Sequence, residues 1–379
     1  MKKIWLEGMF CLALGVSALG AHAQTTIRLS ESAGGIQATG ISRRGAISND
    51  GLYTAFVSVA PELVPGDTNG VEDVFVRDND TGEIVSVGVG GVQGNEKSDR
   101  PTISADGRFV AFSSKASNLV VGDSQTFDMN QCPTCTGWQD VFVRDRNPDA
   151  NGIFDEGNGH TTRVSVSTSG TPTDRGCQGI RISGDGLNIS FDSTSSLLVA
   201  GDSNHAEDVF TRSVASNTTT RISVDAFGRQ LDTPTLAPLS LGGRISADGR
   251  FVVFQSTASE LVLRDTNAKM DAFRHDRDTD SDGIYDEPAA METVRISVST
   301  EGRQGNDDSS DPCVSADGSR ISFSTLADSL IDTDTNVVED VYLRDLIVVV
   351  PCLPDINGDG LLDFFDVAAF LGAFSAGCP

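Results

Sequence analysis

"TISADGRFVAFSS", residues 102–114, reads as two short alternating apolar runs joined across the Asp106–Gly107 pair. Asp-Gly between such runs is the strongest short-range hairpin signal, because glycine adopts positive φ without steric cost and aspartate tolerates it. The phrase recurs as "AISNDGLYTAFVS" from Ala46, "RISGDGLNISFDS" from Arg181, "RISADGRFVVFQS" from Arg244 and "CVSADGSRISFST" from Cys313. Five antiparallel hairpins are therefore expected.

A second phrase trails each hairpin: "EDVFVRD" from Glu72, "QDVFVRD" from Gln139, "EDVFTRS" from Glu207, "MDAFRHD" from Met270 and "EDVYLRD" from Glu339. In the first four units a further alternating segment follows: "EIVSVGVGGVQ", "TRVSVSTSGTP", "TRISVDAFGRQ" and "VRISVSTEGRQ". Four short strands in each of five units predict an all-β chain folded as a five-bladed β-propeller. The fifth unit lacks its fourth strand. "TIRLSESAGGIQ" from Thr26 aligns without a gap on "TVRISVSTEGRQ" from Thr293, so the N-terminal strand is expected to close the last blade and protect its edge.

These S-x-D-G hairpins followed by D-V-[FY] strands resemble the TolB-type, WD-repeat-like propeller repeats of bacterial envelope proteins, over residues 25–346. The resemblance implies the fold. TolB's own helical N-terminal domain has no counterpart here, so its transport role is not implied.

Residues 1–23, with a Lys-Lys start, a short apolar core and an Ala-His-Ala end, read as a secretory leader cleaved before Gln24. The propeller is expected over 24–347, a linker over 348–354 and a small C-terminal module over 355–379. The predicted location is extracellular or cell-surface, with the periplasm as an alternative, and no later segment reads as a membrane span.

The formal net charge is −26, and loss of Lys2, Lys3 and Glu7 with the leader takes it to −27. Such acidity argues against nucleic acid and anionic membranes as partners and suits cation binding. Of seven cysteines, Cys11 falls in the leader. Cys132 and Cys135 can form a redox or zinc motif, and a loop-tying disulfide is the preferred reading. Cys352 and Cys378 bracket the tail as a second predicted pair. Cys177 and Cys313 each precede a hairpin, and their pairing is left open.

The carboxylates fall into three groups. In "DINGDGLLDFFD", Asp355, Asn357, Asp359, Leu361, Asp363 and Asp366 occupy the ligand positions of an EF-hand-type loop, with Gly360 at its turn. Calcium needs six to eight oxygens converging around such a turn. "VAAFLGAF" after it reads as a short helix. This tail resembles one half of a dockerin, which implies attachment to a cohesin-like or cell-surface partner. Asp278, Asp280, Asp282 and Asp286 in one inter-strand loop, and Asn147, Asp149, Asn151 and Asp155 in another, are weaker candidate calcium ligands. The recurring D-[ST]-N-x-x-x-D phrase, as in Asp67, Asn69 and Asp73, reads first as turn capping.

Arginines lead into the innermost strands, and Arg44, Arg100 and Arg244 form a candidate site for an anionic glycan or protein ligand. The repeat arginines Arg77, Arg144, Arg212 and Arg344 are expected to link blades, with His275 replacing the fourth. No nucleophile, metalloprotease or phosphate-loop motif is present in the sequence. The expectation is a secreted, monomeric, non-catalytic recognition or scaffold protein with calcium as its cofactor. The alternative is a carbohydrate-active enzyme or accessory subunit working through Asp99 or Asp311.

Overall fold

A computed structural model describes residues 26–78, 82–84, 91–123, 139–231, 240–336 and 338–346. The leader, the Cys132–Cys135 loop, the linker, the Cys352–Cys378 pair and the 355–366 calcium loop lie outside them.

The described chain is all-β, in five antiparallel sheets that follow the repeats. The first holds β1 (Ser42–Ile47), β2 (Thr54–Ser58), β3 (Asp73–Arg77) and β4 (Gly82–Ile84). The second holds β5 (Ser98–Ile103), β6 (Phe109–Ser114), β7 (Asp140–Asp145) and β8 (His160–Arg163). The third is β9 (Cys177–Ile182), β10 (Asn188–Ser193), β11 (Asp208–Ser213) and β12 (Thr218–Arg221). The fourth is β13 (Ser240–Ile245), β14 (Phe251–Ser256), β15 (Asp271–Asp276) and β16 (Glu292–Arg295). The fifth is β17 (Ser309–Val314), β18 (Arg320–Thr325) and β19 (Asp340–Asp345). Each sheet runs in sequence order and packs on the next, first strand against first strand from β1 through β5, β9 and β13 to β17. This is the β-propeller arrangement.

The hairpin phrase shapes each turn. Its serine hydroxyl reaches the aspartate carboxylate, as from Ser104 to Asp106 at 2.6 Å, and the glycine N–H donates to the serine carbonyl, as from Gly107 to Ser104 at 3.1 Å. Gly107 has φ 76°, and a Cβ added there would collide with the Tyr53 ring of the preceding sheet. The residue after each serine carries a bond between blades: Asn49 N–H donates to the Ala105 carbonyl, Ala105 to Gly184, Gly184 to Ala247 and Ala247 to Ala316, all within 2.8–3.0 Å.

The core is a series of apolar seams between sheets. Val74 and Val76 meet Val110 and Phe112, and Val141 and Val143 meet Ile189 and Phe191. Their counterparts in the fifth sheet, Val341 and Leu343, are 77% and 65% exposed. The ends of the arc are therefore uncovered.

The expected closing strand is not paired with the last blade in this structure. The fifth sheet has three strands among the described residues, and no residue of 26–32 pairs with β19. Residues 31–37 form a bridged turn beside β3, where Arg77 donates to the Glu31 carbonyl at 2.5 Å. Residues 30–38 match the turns that connect blades, and those turns are anchored by the third-strand arginine of the following blade, as Arg212 holds Ser167 and Arg344 holds Ser299.

Candidate functional site

Every first strand carries a bulge, and the bulges gather on the inner edge of the arc. They leave Arg44, Arg100, Gly179, Gly242 and Asp311 at positive φ of 58°, 54°, 66°, 75° and 49°. Glycine accepts this region freely, whereas arginine and aspartate are strained there, and such strain concentrates at functional positions.

Around the bulges the charges divide into two groups. Arg43 pairs with Glu72 at 2.5 Å, Arg44 with Asp99 at 3.2 Å, and Lys97 bridges Glu72 and Asp99. Arg44 is thus partly neutralised, and Asp99 is held between two cations. Arg100, Arg181 and Arg244 form the second group, and none has a carboxylate within ion-pair distance among the described residues. Arg181 is exposed, yet burial of part of its side chain, then the Arg244 charge beside it, lower its pKa; Arg100 acts in the same direction. Arg244 Nη1 also lies 3.9 Å from the Cys313 thiol. Of the three predicted arginines, Arg100 and Arg244 belong to this cluster, Arg44 belongs to the paired group, and Arg181 is an addition.

Asp192 stands behind Arg181. Its carboxylate is 2% exposed and accepts N–H bonds from Gly242 at 2.9 Å and Gly243 at 3.4 Å in the next sheet. Burial pushes its carboxyl up to about 7, against the pull of those amides. A Cβ at Gly179 would collide with this carboxylate, so that position requires glycine on two counts. Counterparts of Asp192 in the other sheets are Val57, Ser113, Gln255 and Ser324. The position varies from sheet to sheet, and Asp192 is the one carboxylate at it.

The inter-strand acidic loops place the candidate calcium ligands in two different settings. Asp278, Asp280 and Asp282 bring carboxylate oxygens within 4.8 Å of one another. Asp286 does not join them: it forms a two-pronged pair with buried Arg277, at 2.8 and 2.6 Å. Asp155 pairs in the same way with Arg146. A guanidinium fork already satisfies the oxygens that the ninth loop position would offer a cation. In the 147–155 loop, Asn147 caps the Asn151 N–H at 3.2 Å, and Asp149 and Asn151 bond to each other. That loop presents a hydrogen-bonded turn.

The D-[ST]-N-x-x-x-D phrase is structural. Asn69, Asn204, Asn267 and Asn336 each donate to the aspartate four residues on. Arg221 pairs with Asp202 and Asp208, and Arg295 with Asp265 and Asp271. Cys177 is buried and Cys313 exposed, and both are unbridged. No helix among the described residues is long and apolar enough to cross a membrane.

No family model and no curated protein matches the chain. Among solved structures it is similar to a protein described as TolB from Agrobacterium tumefaciens, at 16% identity, 82% coverage of this chain, 79% of the other and TM-score 0.39. It is also similar to TolB from Acinetobacter baumannii, at 13% identity, with 76% and 52% covered and TM-score 0.36. The propeller domain of the Trilobed protease from Pyrococcus furiosus gives 9% identity, 81% and 69% coverage and TM-score 0.41. With TM-scores this low, the fold reading rests on the sheets of this chain alone.

Proposed function

We propose that this chain is a secreted or periplasmic recognition propeller, without catalytic activity of its own, that takes an anionic ligand against Arg100, Arg181 and Arg244. The observation that carries this reading is the grouping of three arginines that lack carboxylate partners among the described residues, in a chain of formal net charge −26. Cations are scarce in such a chain, and these three are not engaged in holding the fold together. Arginine suits carboxylate and sulfate groups because its planar fork binds two oxygens at once. The ligand class is a polyanion such as a uronic acid or sulfated oligosaccharide, or an acidic segment of a protein.

The proposal includes closure of the ring. In the closed ring residues 26–28 would continue the sheet beyond β19, the Ala316 N–H would bond to the Asn49 carbonyl, and Val341 and Leu343, exposed in this structure, would be covered by the first sheet. The tail over 355–379 serves attachment through its calcium loop. Titration of the full chain with a sulfated oligosaccharide at two salt concentrations tests the reading: binding should weaken steeply as salt rises, and an R100S/R181S/R244S variant should lose it.

A second use of cations is favoured by the Asp278–Asp280–Asp282 cluster, which we assign to calcium. The enzymatic alternative requires Asp99 or Asp311 as an acid or base. Turnover of polysaccharide abolished by Asp99→Ala or Asp311→Ala would replace the recognition reading.

A further inference from the structure

His275 stands where the other four repeats carry Arg77, Arg144, Arg212 and Arg344. Three of those guanidiniums donate to the carbonyl of a turn between blades: Arg77 to Glu31 at 2.5 Å, Arg212 to Ser167 at 3.2 Å and Arg344 to Ser299 at 3.1 Å. Arg144 and Arg212 also reach a threonine hydroxyl on the fourth strand, Thr161 and Thr219. In the fourth sheet the matching groups are the Asp225 carbonyl and Thr293. Imidazole is too short to span them both. Its Nδ1 lies 2.8 Å from Thr293 Oγ1, and no side chain donates to the Asp225 carbonyl among the described residues.

Two consequences follow at the same place. A cavity of about 320 Å³ opens, lined by His275, Thr293, Asp225, Phe227, Met291 and Pro288. His275 is 1% exposed, and its Nε2 has no hydrogen-bond partner. A buried polar atom of this kind calls for a partner, and the cavity is where one can enter. Burial holds the imidazole neutral, with its pKa down to about 4.

The chemistry of the walls selects the ligand. Phe227, Met291 and Pro288 offer apolar contact, and the Phe227 ring stands 78% exposed. Asp225 and Glu292 discourage an anion. The Thr293 hydroxyl has one hydrogen. Given to Nδ1, it leaves Nε2 as a donor; given to the Val224 carbonyl at 3.5 Å, it leaves Nε2 as an acceptor. A ligand hydroxyl satisfies Nε2 in either tautomer, and in the first it can also donate to the Asp225 carbonyl. The volume is at the lower end for small-molecule sites, enough for a single ring. We propose that this cavity binds a phenolic group, with its hydroxyl on His275 Nε2 and its ring among Phe227, Met291 and Pro288. The site is independent of the arginine cluster and of the anion-binding reading.

The test follows the imidazole nitrogens of the full chain by long-range 1H–15N NMR during titration with p-cresol, toluene and N-acetyltyrosinamide. A saturable shift of the His275 Nε2 resonance with p-cresol is expected, with toluene weaker by about tenfold for want of the hydroxyl. His275→Arg restores the repeat residue, fills the cavity and should abolish binding. Tyrosinamide binding at least as tight as p-cresol assigns the site to a tyrosine of a partner protein, and binding of p-cresol alone assigns it to a free phenol. No saturable shift, meaning a cavity that holds only water, overturns the proposal. Equal affinity for toluene does so too, and the parent protein alone gives both answers if the variant fails to fold.

Discussion

Arg100 is held at φ 54° in the bulge of β5, where an L-residue is strained by about 1–2 kcal/mol. Glycine fills the same position in two other sheets, as Gly179 and Gly242. Arg100→Gly should therefore leave stability unchanged or raise it by up to about 1 kcal/mol, since relief of strain is offset by the freer unfolded chain. Anion binding should fall in the same variant. Thermal unfolding that shows a loss of several kcal/mol would mean that Arg100 holds the fold. Asp192 gives a second test. Its carboxyl sits at about 7 in the fold against about 3.9 in an unfolded chain, so the native state binds a proton that the unfolded state has already released. Its contribution to stability consequently falls as pH rises from about 4 to about 7 and is flat above. Asp140, pushed up to about 6 by burial, acts in the same direction. Melting temperatures of Asp192→Asn should gain on the parent across that window, and parallel curves would contradict the assignment.

The hairpins were legible because Ser-x-Asp-Gly encodes a turn within four residues, and all five turns form with the glycine at positive φ. The acidic loops were legible only in part. Spacing alone marks Asp286 and Asp155 as calcium ligands, and it does not register that Arg277 and Arg146, nine residues earlier, are buried and compete for the same oxygens. Arg277 also donates to the Gly249 carbonyl and to Asn188 across the seam between blades, while its guanidinium lies over the Tyr285 ring. Asp286→Asn should cost about 3 kcal/mol, because it leaves a buried cation without its counter-charge. A chemical-denaturation series that finds less than about 1 kcal/mol would place that pair in solvent. Calcium added to the parent should raise the melting temperature by mass action on the folded state, and Asp282→Asn should reduce that gain. An unchanged curve with calcium would leave Asp278, Asp280 and Asp282 as a turn.

Across the whole molecule, the repeat pattern in the sequence carried the five sheets, their strand order and their succession, whereas the joining of the two ends that it also predicts is not formed in this structure. Pairing of residues 26–28 with β19 depends on how far the arc curls, which is set by the summed packing of four seams. The bonds that run from Asn49 to Ala316 stop one short of a circle. With the ring closed, hydrogen exchange at the Ala316 amide should be as slow as at Ala247, and deletion of residues 26–32 should lower the melting temperature and cause aggregation through the exposed edge. Fast exchange at Ala316 with slow exchange at Ala247 would show an open arc in solution. The arginine cluster does not depend on that outcome, because Arg100, Arg181 and Arg244 lie on the second, third and fourth sheets, which pack consecutively. Its role is tested most directly by calorimetric titration of a sulfated oligosaccharide into the parent and into R100S/R181S/R244S at low and at physiological salt. The account predicts saturable binding by the parent that weakens as salt is added, and none by the folded variant. Equal binding by the two proteins, or none by the parent at low salt, would contradict it.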